Sequence, residues 1–158
     1  MPKPSSQHYD VIINVPFGAV GIHIESDYVL GIELFPSQQN PRESSQPCAQ
    51  HIAHQISLYF QQADTPLNIP YALAGTPFQQ RVWQAIAQIP AGHVMTYAEL
   101  AQKVGSGPRA VANACGANQL PLLIPCHRVV AKNGLGGFMR GVAGGLKIKA
   151  WLLALEAS

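Results

Sequence analysis

A cysteine and a histidine stand side by side in LLIPCHRVV, residues 122–130, where the flanking residues are apolar and an arginine follows. Two chemistries fit the pair. An apolar setting suits a cysteine that is an inert small hydrophobe. His127 and Arg128 beside it suit a thiol whose thiolate is stabilised, and the thiolate is the nucleophile. The segment by itself leaves both open. A second candidate is Cys48, His51 and His54, spaced three apart as one face of a helix would present them to zinc. The HEXXH arrangement is missing and no fourth ligand stands out, so an ordinary surface helix is the plainer reading. Cys48, Cys115 and Cys126 are odd in number and widely spaced. That excludes a disulfide framework and a CxxC metal knuckle, and it fits a reducing compartment.

The chain of 158 residues is 47% apolar, enough for a packed core in one domain or in two small ones. No apolar run approaches the roughly 20 residues of a membrane helix. The opening MPKPSSQHYD lacks the apolar stretch of a signal peptide, so a cytoplasmic protein with no membrane partner is expected. The net charge of +2 hides an asymmetry. Residues 1–75 carry Lys3 and Arg42 against six acidic side chains; residues 76–158 carry eight basic side chains against Glu99 and Glu156. A basic half points to a polyanion partner or simply to a solubilised surface.

Three β-rich runs, YDVIINV, AVGIHIE and YVLGIELF, are separated by PFG and SD turn signals and predict an antiparallel meander. The middle run alternates Val20, Ile22 and Ile24 with Gly21, His23 and Glu25, which predicts one buried and one wet face. After the polar loop 36–47, Ile52, Ile56, Tyr59 and Phe60 form the apolar face of a helix that would cover the sheet. ADTPLNIPYALAG, residues 63–75, reads as a Pro-interrupted linker, placing the boundary between domains 1–75 and 76–158.

Helix signals dominate from Thr76. TPFQ is a capping box with proline at the first helical position, and TYAE, residues 96–99, is a second box. Phe78, Val82, Ala85, Ile86 and Ile89 share a face, while Trp83 and Trp151 read as core. YAELAQKV, the break GSGP and then PRAVANACGAN match a helix-turn-helix, although paired short helices also occur where no DNA is bound. A major-groove reader displays Arg, Lys, Asn or Gln. This second helix offers mostly alanine, with Arg109 at its start and Asn113 midway, so it could approach DNA closely and read little sequence.

The region GTPFQQRVWQAIAQIPAGHVMTYAELAQKVGSGPRAVANACGANQLPLLIPCHRVV, with GGLKIKAWLLALE beyond it, resembles the O6-alkylguanine-DNA alkyltransferases (methylated-DNA–protein-cysteine methyltransferases). The resemblance covers about half the chain in several separated motifs. It implies an α+β protein: a small N-terminal antiparallel sheet with a covering helix, ribonuclease-H-like, then an all-α domain with the helix-turn-helix. It implies entry from the minor groove, extrusion of an O6-alkylguanine from duplex DNA, and irreversible transfer of the alkyl group to the cysteine, once per molecule. No cofactor and no metal are implied, and the partner is DNA, bound by a monomer with or without cooperativity.

Carried onto this chain, Cys126 is the nucleophile, His127 its base through a water, and Glu156 the group that orients the histidine. Asn118 matches the asparagine that braces the turn before the active segment. Tyr97 matches the tyrosine that protonates or hydrogen-bonds the departing guanine, and Arg109 the arginine that fills the gap in the duplex. The carbonyls of Cys126 and Val129 would accept from the guanine amine, and the backbone N–H that holds O6 falls on Ala143. Cys115 reads as packing and Glu99 as a cap. One departure is the loop 135–146, a few residues longer than the common family form, which bears on which adducts fit; the zinc ligands of some relatives have no counterpart. Three other functions compete: a non-enzymatic alkyltransferase-like sensor, which carries tryptophan in place of Cys126, a sequence-specific regulator, and a Cys-His hydrolase.

Overall fold

The computed structural model describes residues 9–139 and 143–158. Most of the segment scanned for a signal peptide, and residues 140–142 of the lengthened loop, lie outside them. The chain divides into two compact units, Met1–Leu73 and Ala74–Ser158, so the division falls two residues ahead of the boundary expected after Gly75.

In the first unit, β1 (Val11–Val15), β2 (Gly18–Glu25) and β3 (Tyr28–Phe35) form an antiparallel sheet in the order β1-β2-β3. Ser26 and Asp27 connect β2 to β3 with positive φ at both positions, the geometry of a two-residue hairpin turn that matches strand twist. Val20 and Ile22 pair with Ile13 and Val11 on one side and with Leu34 and Ile32 on the other, giving one continuous apolar face. Helix α1 (Pro47–Gln61) packs against β1 and buries Ala49, Ile52, Ile56 and Tyr59; Phe60 is only half-buried.

The opposite face departs from expectation. Ala19 and Gly21 are buried too, beneath a cluster of Tyr9, Ile12 and Phe35 in which the two rings meet edge to face at 6.1 Å. The covering residues come from the ends of the meander, so alternation within β2 could not reveal them. Wetness begins only at His23, whose Nδ1 lies 3.4 Å from an Asp10 carboxylate oxygen.

The second unit is helical. Thr76 and Gln79 close a reciprocal capping box on α2 (Pro77–Ala87), and Thr96 and Glu99 close another on α3 (Tyr97–Val104). Such boxes satisfy two of the amide donors that each helix start leaves unpaired. Gly105 ends α3 in the left-handed region at φ 74, a conformation glycine adopts without strain, and α4 (Pro108–Gly116) follows at once. Trp83 of α2 donates its indole N–H to the Ala114 carbonyl of α4 at 2.9 Å, tying the pair to the core. Trp83 is core as expected, whereas Trp151 is only half-buried. Two residues of β4 (Met95–Thr96) pair in parallel with β5 (Val129–Val130), and helix α5 (Gly145–Ala157) closes the chain. Among the described residues, no helix is long and apolar enough to cross a membrane.

Candidate active site

The β4–β5 pairing sets the frame. It joins the start of α3, and hence Tyr97, to the strand that directly follows a 3₁₀ turn, Cys126–Arg128. That turn is held from behind by Asn118, two residues past the end of α4. The Asn118 amide N–H₂ donates to the Ile124 carbonyl at 2.9 Å and to Cys126 Sγ at 3.1 Å, and its oxygen accepts from Leu120 N–H at 2.9 Å. Between these anchors Leu122 takes φ 77, a left-handed conformation unfavourable for a leucine by about 1–2 kcal/mol. Strain of that size persists where neighbours over-determine the backbone, and such positions gather at functional sites.

Cys126 is 7% exposed and His127 is fully buried. His127 Nε2 meets Glu156 Oε2 at 2.8 Å, and its other ring nitrogen, Nδ1, is buried with no hydrogen-bond partner among the described residues. Arg128 grips the same carboxylate with two parallel bonds, Nε to Oε1 at 2.9 Å and a terminal nitrogen to Oε2 at 2.8 Å, while its other terminal nitrogen reaches the Ile89 carbonyl at 2.6 Å. Such fork geometry fixes the carboxylate as well as neutralising it. Burial pushes the His127 imidazole below its ordinary range, and Glu156 only partly opposes this. The ring is therefore neutral at neutral pH and able to accept a proton.

A second charged group lies at the core of the unit. Lys149 is fully buried; its ammonium donates to the Val129 carbonyl at 2.7 Å and to the Gly137 carbonyl at 3.0 Å. It also faces the rings of Tyr97 and Phe138 at 5.9 and 6.0 Å. Desolvation lowers it to about 8, against the pull of the two nearby thiols. The Tyr97 hydroxyl donates to the same Gly137 carbonyl at 3.3 Å. Burial and then the thiols raise Tyr97 to about 12, so its hydroxyl keeps its proton. Gly136, at φ 75, lies so near the Tyr97 ring that an added Cβ would sit 2.7 Å from it.

The Cys126 thiol donates to the Cys115 carbonyl at 3.7 Å, which places it beside the Cys115 side chain. The closeness of the two thiols lowers Cys115 and, with burial, raises Cys126. A first proton thus leaves the pair more easily than a second. The Asn118 N–H and the Lys149 charge both favour the anion on Cys126.

Cys126, His127, Glu156, Asn118 and Tyr97 are therefore brought together. Val129 joins them through a carbonyl already accepting from Lys149. Arg109 stands apart, exposed in the first turn of α4 beside exposed Ala110, Ala112 and Asn113. Ala143 is exposed in the turn that precedes α5, and the structure shows no ligand-facing role for its N–H. Cys48 donates to the Asp27 carbonyl, and no group of three potential metal ligands occurs among the described residues.

Comparison with known proteins decides the family. Residues 77–158 match the 6-O-methylguanine DNA methyltransferase DNA binding domain. The chain belongs to the O6-methylguanine DNA methyltransferase family. A probable methylated-DNA–protein-cysteine methyltransferase of Acanthamoeba polyphaga mimivirus is 48% identical over 101 residues, 62% of this chain and 65% of that protein. The match thus spans less than two thirds of that curated relative. The crystal structure of Mycobacterium tuberculosis O6-methylguanine methyltransferase superposes with a TM-score of 0.79 at 30% identity, covering 95% of this chain and 92% of the other. Mycobacterium tuberculosis OGT in complex with DNA gives 0.75 at 32% identity, with 92% and 91% covered.

Three residues of this site, Lys149, Arg128 and Cys115, were not assigned their contacts from sequence. Lys149 has a signal in retrospect: Gly145, Ile148, Lys149, Leu152 and Glu156 stand at i, i+3, i+4, i+7 and i+11, so both charged residues lie on the buried stripe of α5. Arg128 was marked by its place after Cys126 and His127, but its Glu156 partner lies 28 residues on, and Cys115, 11 residues before Cys126, read only as packing.

Proposed function

We propose that this chain repairs DNA by moving an alkyl group from O6 of a damaged guanine in duplex DNA onto Cys126 Sγ, each molecule acting once. The observation that carries the reading is the Cys126–Asn118 and His127–Glu156–Arg128 arrangement. A buried thiol has an amide donor aimed at its sulfur, beside a neutral imidazole locked by a carboxylate. Displacement at an alkyl carbon needs a thiolate, and a free thiol is only a few per cent ionised at neutral pH.

In this reading the thiol proton passes to His127 Nδ1 through a bridging water, for which that buried, unpartnered nitrogen provides the acceptor. Glu156 and Arg128 stabilise the imidazolium that forms. The thiolate sulfur attacks the alkyl carbon, the carbon–O6 bond breaks, and the electron pair goes to the guanine. Tyr97, still protonated, donates to the base as charge develops, and the Cys126 and Val129 carbonyls receive its amine. Lys149 holds Val129 and the 137 carbonyl in place and lowers the energy of the anion. Ala143 N–H would hold O6, and the lengthened loop sets which adducts fit.

The exposed small-residue face of α4 would lie in the minor groove with Arg109 filling the space of the extruded base. Extrusion takes a few kcal/mol, least where pairing is already weakened, as it is by alkylation at O6. Binding through phosphates predicts salt-sensitive, largely sequence-independent affinity. The test is to mix the protein with a duplex carrying one O6-methylguanine and measure intact and peptide masses. One added CH₂ on Cys126, saturating at one per molecule, is expected. Tight binding with no mass gain would instead identify a non-enzymatic sensor of alkylated DNA.

A further inference from the structure

Of the two cysteines that the transfer reaction leaves unused, Cys115 lies against the one it uses, the Cys126 thiol donating to the Cys115 carbonyl. Their contact is built by two elements: Cys115 belongs to the last turn of α4, and Asn118, three residues on, donates to Cys126 Sγ. The distance from Cys126 Sγ to the Cys115 carbonyl is 3.7 Å. Cys48 lies in the other unit, bonded to the Asp27 carbonyl. We propose that Cys115 is a resolving thiol, and that a peroxide converts Cys115 and Cys126 into an intramolecular disulfide that reversibly withdraws the nucleophile.

The step balances. The Cys126 thiolate attacks one oxygen of hydrogen peroxide; the O–O bond breaks, and Cys126 sulfenic acid and hydroxide result. The Cys115 thiolate then attacks the Cys126 sulfur, the S–O bond breaks, and hydroxide leaves. Overall, two thiols and one peroxide give one disulfide and two waters. Sulfenic acids beside a thiol condense to disulfides, whereas isolated ones proceed to sulfinic acid, which thiol reductants do not reverse. Cys115, held below the usual thiol range beside Cys126, is available as the attacking thiolate of the second step. The arrangement protects a nucleophile that must survive until it meets damage, and it leaves the oxidised site closed to alkyl groups until a dithiol reductant opens it.

The test needs neither DNA nor transfer activity, so its outcome is independent of the function proposed above. Trypsin releases residues 110–128 as one peptide holding both Cys115 and Cys126. Native full-length protein is treated with hydrogen peroxide, denatured, alkylated with iodoacetamide and digested. The expected result is a 110–128 peptide two hydrogens lighter than the dithiol form and unalkylated at both sulfurs, with dithiothreitol restoring two alkylatable thiols. In Cys115→Ser the same treatment should put two oxygens on Cys126, unaffected by dithiothreitol. The proposal is overturned if wild-type Cys126 acquires those oxygens at the same rate as in Cys115→Ser. It is also overturned if 110–128 stays fully reduced, or if the disulfides formed involve Cys48; repeating the treatment in Cys48→Ser separates that last case.

Discussion

In the sheet unit, the described core of β1–β3 and α1 is apolar or tyrosine, and the charged groups near it, Asp10, His23 and Glu33, sit at its margins. The helical unit buries His127, Lys149 and Glu156 among its apolar side chains. Burying charge is expensive unless each group is paired and hydrogen-bonded. The helical unit meets that condition with the Arg128 fork and the carbonyls of Val129, Gly137 and Ile89. One unit is therefore organised for stability and the other for holding reactive groups in a defined state, and substitutions should separate the two.

The largest separation is expected at Cys126. Cys126→Ala should abolish transfer, read as the loss of any mass gain with O6-methylguanine duplex, while DNA affinity stays and stability moves by no more than about 1 kcal/mol. The converse substitution is Ile22→Ala in β2, fully buried between β1 and β3. It should destabilise by about 2–5 kcal/mol in denaturant titration, yet leave the single-turnover rate at 25 °C unchanged. A rate that falls with stability would mean that the sheet unit takes part in the chemistry.

Arg109→Ala comes next. It should slow transfer from duplex DNA about tenfold, a fraction of the extrusion energy, without changing how fast Cys126 reacts with free O6-benzylguanine base. Equal slowing of both reactions would show that Arg109 acts on the thiol rather than on the duplex.

The smallest effect is a pH slope. The His127 pKa is depressed by folding, so below pH 6.5 the unfolded chain binds a proton that the native state refuses. Stability should rise with pH up to about 6.5 and then level off for this group, at about 1.4 kcal/mol per pH unit at most. Denaturant titrations from pH 5 to 8 on wild type and His127→Gln should differ by that slope. Parallel curves would mean that folding leaves the imidazole unshifted, and a wild-type stability that falls with pH above 6.5 would place a charged imidazole in the native site.

What could be read from sequence follows the range of each interaction. The capping boxes at Thr76 and Thr96 span three residues, and the β2–β3 hairpin needs only its two turn residues, so both were legible. Cys126, His127 and Glu156 were assigned through motif resemblance alone, since the segment 122–130 by itself left an inert cysteine open and the His127–Glu156 contact spans 29 residues. The second covered face of β2 was not legible: Tyr9 and Phe35 reach it from outside that strand. Lys149 looked like a surface cation because its acceptors are backbone carbonyls, which leave no mark in side-chain patterns; the Arg128 fork onto Glu156 was hidden by their separation of 28 residues. The two-residue β4–β5 pair, too short for any periodicity, escaped for the same reason although it aligns Tyr97 with the cysteine turn.

The bond from Trp83 to the Ala114 carbonyl has a spectroscopic consequence. That indole is buried, with its N–H committed to the residue immediately before Cys115, whereas Trp151 is half-exposed on α5. The two emitters should therefore separate by colour and by quenching with iodide: Trp83 blue and protected, Trp151 redder and accessible. In a Trp151→Phe protein, the remaining emission becomes an optical gauge of α4, following the helix as it is loaded, oxidised or loosened without any label being attached.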